Sequence, residues 1–346
     1  MLCLQAPAKL NLYLRILGRR SDGYHEIETL FERIDLADEL QFEKSSDLIL
    51  TCDMSYSTIQ RGRVSRRRSR AVGGSTPGGG AHERDVAVTG PAQTELEIIT
   101  RLSCGEDNLI MKAARLLQRV SGTKHGARIH LTKRIPIAAG LGGGSSDAAT
   151  TLLGLNELWS LQLDQPRLIE LAAQLGSDVP FFLSQAPFAI GRGRGEQCEP
   201  LEVQAHLVHV LVIPNAQLST KEVYGSGGFD LTASKPSLTM MIHALRNGPA
   251  LVGLAEGLWN DLEPEAIRRC PIITVIQSQL HQFGCLGVRL SGSGPSVFGL
   301  CRDRAHAQDI VRRLRLQAPP AWRTELVETH QSGRERKKVL CSDGGE

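Results

Sequence analysis

KRIPIAAGLGGGSSDAAT, residues 133–150, decides how this chain is read. The stretch opens on a β-branched, proline-punctuated entry, Ile135-Pro136-Ile137. It then packs Gly140, Gly142, Gly143, Gly144, Ser145 and Ser146 into seven residues, and runs on into small helix formers. Glycine admits positive φ and lets backbone approach a ligand closely. A glycine loop feeding a helix aims several N–H donors and the positive end of the helix dipole at one place, which suits a phosphate. A Walker loop needs Gly-Lys-Ser/Thr, and no lysine follows these glycines. The dinucleotide fingerprint GxGxxG needs a third glycine where Ser145 stands. A tight turn before a packed helix is the plainer alternative; four glycines and two serines in seven residues favour a ligand.

Working outward, a chain of 346 residues exceeds what one hydrophobic core usually supports. Its hydrophobic content of 41% is enough for ordinary cores. No apolar run is long enough to span a bilayer, and the start, Met1 to Pro7, has neither a basic region nor an apolar stretch of signal-peptide type. The eight cysteines are scattered without a CxxC pair, as expected of reduced thiols in a cytoplasmic protein. The net charge of +3 is unevenly placed: residues 54–103 hold eight arginines against four acids, which puts +4 there and leaves −1 over the rest. This segment includes RGRVSRRRSR (61–70) and GGSTPGGG (73–80), a composition that favours a disordered insert. Within it, Thr94 to Ile99 reads as a short strand. The arginines admit a nucleic-acid or membrane-surface role, but no aromatics interleave them beyond Tyr56, and a solvated insert is the better reading.

Elsewhere the periodicity gives an α+β pattern. Strands are expected at 10–17, over 26–42, at 128–131, 207–213, 287–290 and 297–301; helices at 109–120, 148–159, 166–175 and 275–283.

The glycine loop resembles the phosphate loop of the galactose, homoserine, mevalonate and phosphomevalonate kinase superfamily. Four blocks in order narrow the resemblance: Ala6 to Leu14 with Arg20-Ser21-Asp22-Gly23-Tyr24-His25, the loop itself, Gly176-Ser177-Asp178-Val179-Pro180-Phe181-Phe182, and Leu290-Ser291-Gly292-Ser293-Gly294-Pro295-Ser296. Together they are similar to the branch that phosphorylates the 2-hydroxyl of a diphosphocytidyl-methylerythritol in non-mevalonate isoprenoid synthesis. Another small-molecule kinase of the superfamily is the alternative, followed by a non-catalytic ATP- or nucleic-acid-binding protein that uses the arginine-rich insert.

The resemblance implies a two-domain small-molecule kinase fold: an N-terminal ribosomal-protein-S5-like domain at 1–190 carrying the insert, a C-terminal ferredoxin-like domain at 191–328, and the site in the cleft between them. A flexible tail is expected over 329–346. ATP and Mg²⁺ are the implied cofactors, and the implied partner is a small molecule with a cytidine diphosphate moiety. Neither membrane nor nucleic acid is expected as a partner, and the assembly is a monomer or homodimer. Lys9 and Asp178 are the implied catalytic pair, Asp178 as general base, with Pro180 two positions on suggesting extended backbone there. Taken singly, Asp178 would read as a helix N-cap and Lys9 as a solvated lysine. ATP falls to Asn108, Pro136, Gly140, Leu141, Gly142, Gly143, Gly144, Ser145 and Ser146, and either serine is a possible Mg²⁺ ligand. The acceptor falls to Asn11, Tyr24, His25, Thr220 and Tyr224. Tyr24 stacks on cytosine, Tyr224 closes the sandwich and His25 reads the base edge. Asn11 shares a strand face with Lys9 by period-two alternation.

Overall fold

The computed structural model describes residues 1–54, 103–229, 235–246, 251–317, 319, 322–331 and the backbone of 336–337. The expected disordered insert, with its short strand at 94–99, falls outside the described residues apart from Met54 and Ser103.

Two long strands frame the first half: β1 (Leu2–Arg19) and β2 (His25–Ser45), joined by the turn at Gly23, pair antiparallel along nearly their whole length. β1 runs well beyond the strand expected at 10–17, because Ala6 to Leu14 are buried on both faces and lose the period-two signature, whereas β2 exceeds its expected 26–42 by only a few residues. β3 (Leu48–Met54), α1 (Leu109–Ser121) and β4 (Gly126–Lys133) follow, with β3 parallel to β4 and β4 antiparallel to β2. Then come α2 (Gly143–Leu158), α3 (Gln165–Leu175), α4 (Val179–Ser184), β5 (Phe188–Arg192) and β6 (Gln197–Pro200). β5 pairs with β2 and β6, so the expected domain boundary at residue 190 falls inside a strand of the larger sheet.

A second, four-stranded antiparallel sheet in the order β11-β7-β10-β9 uses β7 (Val208–Ile213), β9 (Gly287–Leu290), β10 (Val297–Cys301) and β11 (Arg323–Glu328). β7 and β10 are almost wholly apolar, and the register of β9 with β10 matches the hairpin expected at 287–301. Between β7 and β9 lie α5 (Thr220–Gly225), α6 (Leu238–Arg246), α7 (Leu251–Gly257), β8 (Trp259–Asn260), α8 (Glu263–Arg269) and α9 (Ile272–Gln282), and α10 (Arg304–Gln317) follows β10. β8 is short but consequential, because it pairs parallel with β1 at Tyr13 and Leu14 and ties this half to the strand that carries Lys9. One core joins both sheets, with Leu10, Leu12 and Ile135 packed beside Leu211 and Phe298.

The segment expected as a flexible tail starts differently. Thr329 and His330 are buried, Thr329 donates to Glu32 at 2.6 Å, and β12 (Arg336–Lys337) pairs with Cys3 and Leu4 of β1. The polar composition of 329–346 hid this, since a polar residue is ordered when its partners lie elsewhere in the chain.

Candidate active site

Lys9 and Asn11 leave β1 on the same side, as alternation requires, and both are buried. The Lys9 ammonium donates to Asn11 Oδ1 at 2.5 Å and lies 3.5 Å from Asp178 Oδ2. Asn11 donates in turn to Thr29 Oγ1 at 2.8 Å, whose hydroxyl donates to the Tyr13 carbonyl at 2.6 Å. Register shifts in β1 at Pro7/Ala8 and at Asn11/Tyr13 bracket the pair. Such bulges locally re-aim side chains. Thr29 was not legible as a site residue, being one threonine in a strand with no motif around it.

Asp178 occupies the N-cap position of α4, yet its carboxylate makes no cap hydrogen bond. The plain alternative reading is therefore not what the fold uses: the carboxylate turns to Lys9. Its backbone is helical, φ −86° and ψ −10°, and not extended as expected, because Pro180 sits within the first turn of α4, where its fixed φ suits a helix. The whole of Val179 to Leu183 is buried, Phe181 stacks on Phe31 at 4.8 Å, and the buried Arg33 donates to the Phe182 carbonyl at 2.9 Å. These contacts fix where Asp178 stands, and Phe31 also lies beneath the Lys9 ammonium at 5.7 Å.

The glycine loop arrives against the same lysine. Lys9 N donates to the Leu141 carbonyl at 3.0 Å. Gly142, at φ +69°, caps α2; a Cβ there would stand 3.0 Å from Lys9 Cγ and 3.1 Å from Phe182 Cζ. Gly140, at φ +79°, has the Ser291 carbonyl where a Cβ would be. Thus the helix begins at Gly143, five residues before the expected start, inside the loop itself. Pro136 and Gly140 are half-buried at the loop's entry, and Gly144 is open. Ser145 is half-buried, with its hydroxyl 4.0 Å from where a Gly176 Cβ would stand, whereas Ser146 is fully buried with an unpartnered hydroxyl. Asn108 is the N-cap of α1, accepting from Ile110 N at 2.9 Å; the next residue, Leu109, approaches to 3.5 Å of a Cβ built on Gly144. Its plain reading as a helix-start residue is realised, and it stands at the edge of the loop.

Beneath the loop lies a buried cluster that the sequence did not reveal. Lys133, the last residue of β4, donates to Asp147 at 2.6 Å and to Asp38, while Asp38 also accepts from Ile135 N at 2.8 Å. Burial pushes the Asp147 carboxyl up to about 7, with Lys133 opposing and Asp38 adding to the rise. A single cation facing two carboxylates leaves one negative charge in excess, so one acid is biased towards its neutral form. Burial works against the Lys133 ammonium, but Asp147 and Asp38 outweigh it and hold its pKa above the ordinary value.

The second glycine loop, Ser291 to Gly294, closes the other side. Ser291 Oγ donates to the Gly140 carbonyl at 3.1 Å, and Asn260 Nδ2 donates to the carbonyls of Leu290 (2.9 Å) and Gly292 (2.8 Å). A Cβ on Gly292 would stand 3.1 Å from Lys9 Nζ. Thr220 reaches this loop through a 2.9 Å hydrogen bond with Ser293 Oγ.

The expected base-binding residues divide into two groups. The His25 ring lies 5.7 Å from Tyr224 and 5.4 Å, edge-on, from Phe229. Tyr24 is 53% exposed, and the Arg194 guanidinium lies over its ring at 4.8 Å. Burial, and then Arg19, hold the His25 imidazole below its usual value of 6.5. Burial and then Asp178 raise the Tyr224 phenol, which places that side chain within the field of the candidate base.

Residues 108–186 match the family described as GHMP kinases N terminal domain, and residues 241–319 match GHMP kinases C terminal. The chain is 39% identical over 310 residues to 4-diphosphocytidyl-2-C-methyl-D-erythritol kinase of Pelotomaculum thermopropionicum, covering 90% of this chain and 92% of that protein. The chain belongs to the 4-diphosphocytidyl-2-C-methyl-D-erythritol kinase family. The kinase of the same name from Pseudomonas paraeruginosa is 36% identical over 309 residues, 89% of this chain and 88% of that one. A crystal structure of 4-(cytidine 5'-diphospho)-2C-methyl-D-erythritol kinase superposes with a TM-score of 0.68 at 32% identity, over 94% of this chain and 98% of that one. Homoserine kinase from Cytophaga hutchinsonii, with TM-score 0.63 at 17% identity over 95% and 94% of the two chains, shares the fold. This kinase is thus an ATP-dependent small-molecule phosphotransferase with the two-domain α+β fold of its family. Among the described residues no helix is long and apolar enough to cross a membrane.

Proposed function

We propose that this kinase transfers the γ-phosphoryl group of ATP to the 2-hydroxyl of 4-diphosphocytidyl-2-C-methyl-D-erythritol, with Asp178 as general base. The observation that carries the reading is the convergence on Lys9: Asp178 at 3.5 Å, Asn11 at 2.5 Å and the glycine loop all meet its side chain. Phosphoryl transfer asks a protein mainly for positioning and charge stabilisation. Asp178 takes up or orients the hydroxyl proton, Lys9 faces the transferring group, and Asn11 holds the acceptor. The loop N–H groups up to Ser145, in the first turn of α2, face the ATP phosphates, while Ser146 N is engaged by the Gly142 carbonyl at 2.9 Å; Pro136 stands at the loop's entry and Asn108 at its edge towards the adenine.

The donors present suit Mg²⁺, which keeps several waters and takes few protein ligands. The half-buried Ser145 hydroxyl is the serine open to such an ion, whereas Ser146 is enclosed. When bound, the ion neutralises charge on the phosphates.

Tyr24, His25, Thr220 and Tyr224 serve the cytidine. Tyr24→Ala is expected to raise the KM for the cytidylyl acceptor about tenfold to a hundredfold, the effect of one lost stacking interaction, with ATP binding little changed. Titration calorimetry with each ligand checks this, and an equal loss for both would point to misfolding. His25 is held neutral to lower pH than a free imidazole. The acceptor KM should therefore stay flat from pH 8 down to about 6.5 and rise only below it, a rise absent in His25→Gln. A pH series of KM values tests this. The function as a whole is tested by a coupled ATPase assay with the cytidylyl substrate beside homoserine and mevalonate. Turnover of the cytidylyl compound alone is expected, and turnover of either other compound with the cytidylyl one inert would overturn the reading.

A further inference from the structure

The hairpin between β5 and β6 carries a residue that neither periodicity nor motif singled out. Its tip, Gly193-Arg194-Gly195-Glu196, is closely held: the Gly193 carbonyl accepts from Ile27 N at 2.8 Å, Gly195 N donates to the Arg192 carbonyl at 3.0 Å, and Arg194 N donates to Glu196 Oε2 at 2.6 Å. One end of this tip abuts the candidate base, since a Cβ on Gly195 would stand 3.9 Å from Asp178 Oδ1. The other end covers the base-binding ring, with the Arg194 guanidinium 4.8 Å above Tyr24. Glu196 approaches Arg194 Nε only to 3.8 Å, beyond hydrogen-bond distance, so its carboxylate does not lock the guanidinium.

The acceptor of the proposed reaction carries cytosine at one end, the reacting hydroxyl at the other and a diphosphate between. A molecule with its base on Tyr24 and its hydroxyl at Asp178 lays that diphosphate along the tip that links them. We propose that Arg194 binds the diphosphate of the acceptor while its face stacks on Tyr24, making it the residue that selects a cytidine diphosphate ester over an uncharged acceptor. The assignment rests on the proposed function. Arginine suits both tasks: its planar face stacks on an aromatic ring while its edge presents paired donors to phosphate oxygens. Asp22 and Arg20 face the same turn, but the Asp22 carboxylate is already engaged by Tyr24 N at 3.1 Å and by Arg20 Nε at 3.1 Å.

Isothermal titration of the full chain with cytidine 5'-diphosphate and with cytidine, for the wild type, Arg194→Ala and Arg194→Lys, tests the proposal alongside steady-state kinetics. Arg194→Ala is expected to weaken the diphosphate and raise the acceptor KM about tenfold to a hundredfold, as for a lost hydrogen bond to a charged group. Cytidine should weaken far less, the KM for ATP should not move, and kcat should stay within about twofold. Arg194→Lys, which restores charge without the planar face, should recover part of the loss for the diphosphate. An equal loss for the diphosphate and for cytidine would show that Arg194 only props Tyr24, and overturns the diphosphate role. Wild-type affinity in Arg194→Ala removes the guanidinium from the site while leaving the proposed function standing. A wild type that neither binds cytidine diphosphate nor turns over the acceptor overturns the function and this assignment with it.

Discussion

Asp178→Ala is expected to lower kcat by at least ~10² while leaving ATP affinity close to that of the wild type, since a positioned general base contributes 10²–10⁴-fold. The carboxylate makes no cap bond to α4, and its ionic partner is the Lys9 ammonium 3.5 Å away. The helix itself is held by Phe181 on Phe31 and by the Arg33 bond to Phe182, neither of which involves residue 178. The helix should therefore stay folded, and the fall in turnover should far exceed what the modest loss of melting temperature from an unpaired, buried Lys9 ammonium explains. Single-turnover rates with calorimetric ATP binding separate the two. Near-wild-type turnover would remove Asp178 from the chemistry, and a joint loss of fold and rate would make it structural.

Lys133→Met should produce the largest loss of stability, on the order of 3–5 kcal/mol, because it leaves Asp38 and Asp147 facing one another without their cation. Both carboxylates are buried, and Asp38 also bonds the backbone that leads into the glycine loop. Urea unfolding measures the loss, and adding Asp147→Asn to the same chain should return part of it. The pH dependence follows from the direction of the Asp147 shift. An acid raised from 3.8 to about 7 on folding stabilises the native state below its unfolded value, and that contribution is lost as pH rises through 7. Between about pH 4 and about pH 7 the wild type should thus lose stability relative to Asp147→Asn, which carries the neutral form at every pH, and level off above it. Parallel behaviour of the two chains over that range would show that Asp147 is already ionised in the fold.

The local elements were legible where an amphipathic helical period, or a short apolar run bounded by turn residues, marks them. α1 shows its apolar spacing and begins at the expected Leu109. β9 and β10 match their expected bounds because short apolar runs flank the Ser-Gly-Ser-Gly turn. α2 starts five residues before the expected residue because Gly143 and Gly144 carry poor helix propensity, yet glycine is what fits at the helix start: a Cβ on Gly143 would meet Ile135 and Lys133. α4 was missed because a six-residue helix led by Asp-Val-Pro shows no period of its own.

By itself the sequence determined the glycine-rich loop at 140–146, the Ser-Gly-Ser-Gly turn, the α+β pattern, and the motif blocks whose family resemblance implies the roles proposed for Lys9, Asp178 and the base-site residues. Each of these depends on residue types at fixed local spacing, which a chain displays without folding. Tertiary structure alone decided which groups face each other. It turned Asp178 from a helix cap into the partner of Lys9, and enclosed Ser146 while leaving Ser145 open. It also joined Asp38, Lys133 and Asp147 across separations of 95 and 14 residues, and set Arg194 over Tyr24. The physical reason is that charge pairing and burial act over ångströms in space with no regard to distance along the chain. A buried lysine or an exposed tyrosine therefore acquires its role only when the fold supplies its neighbours.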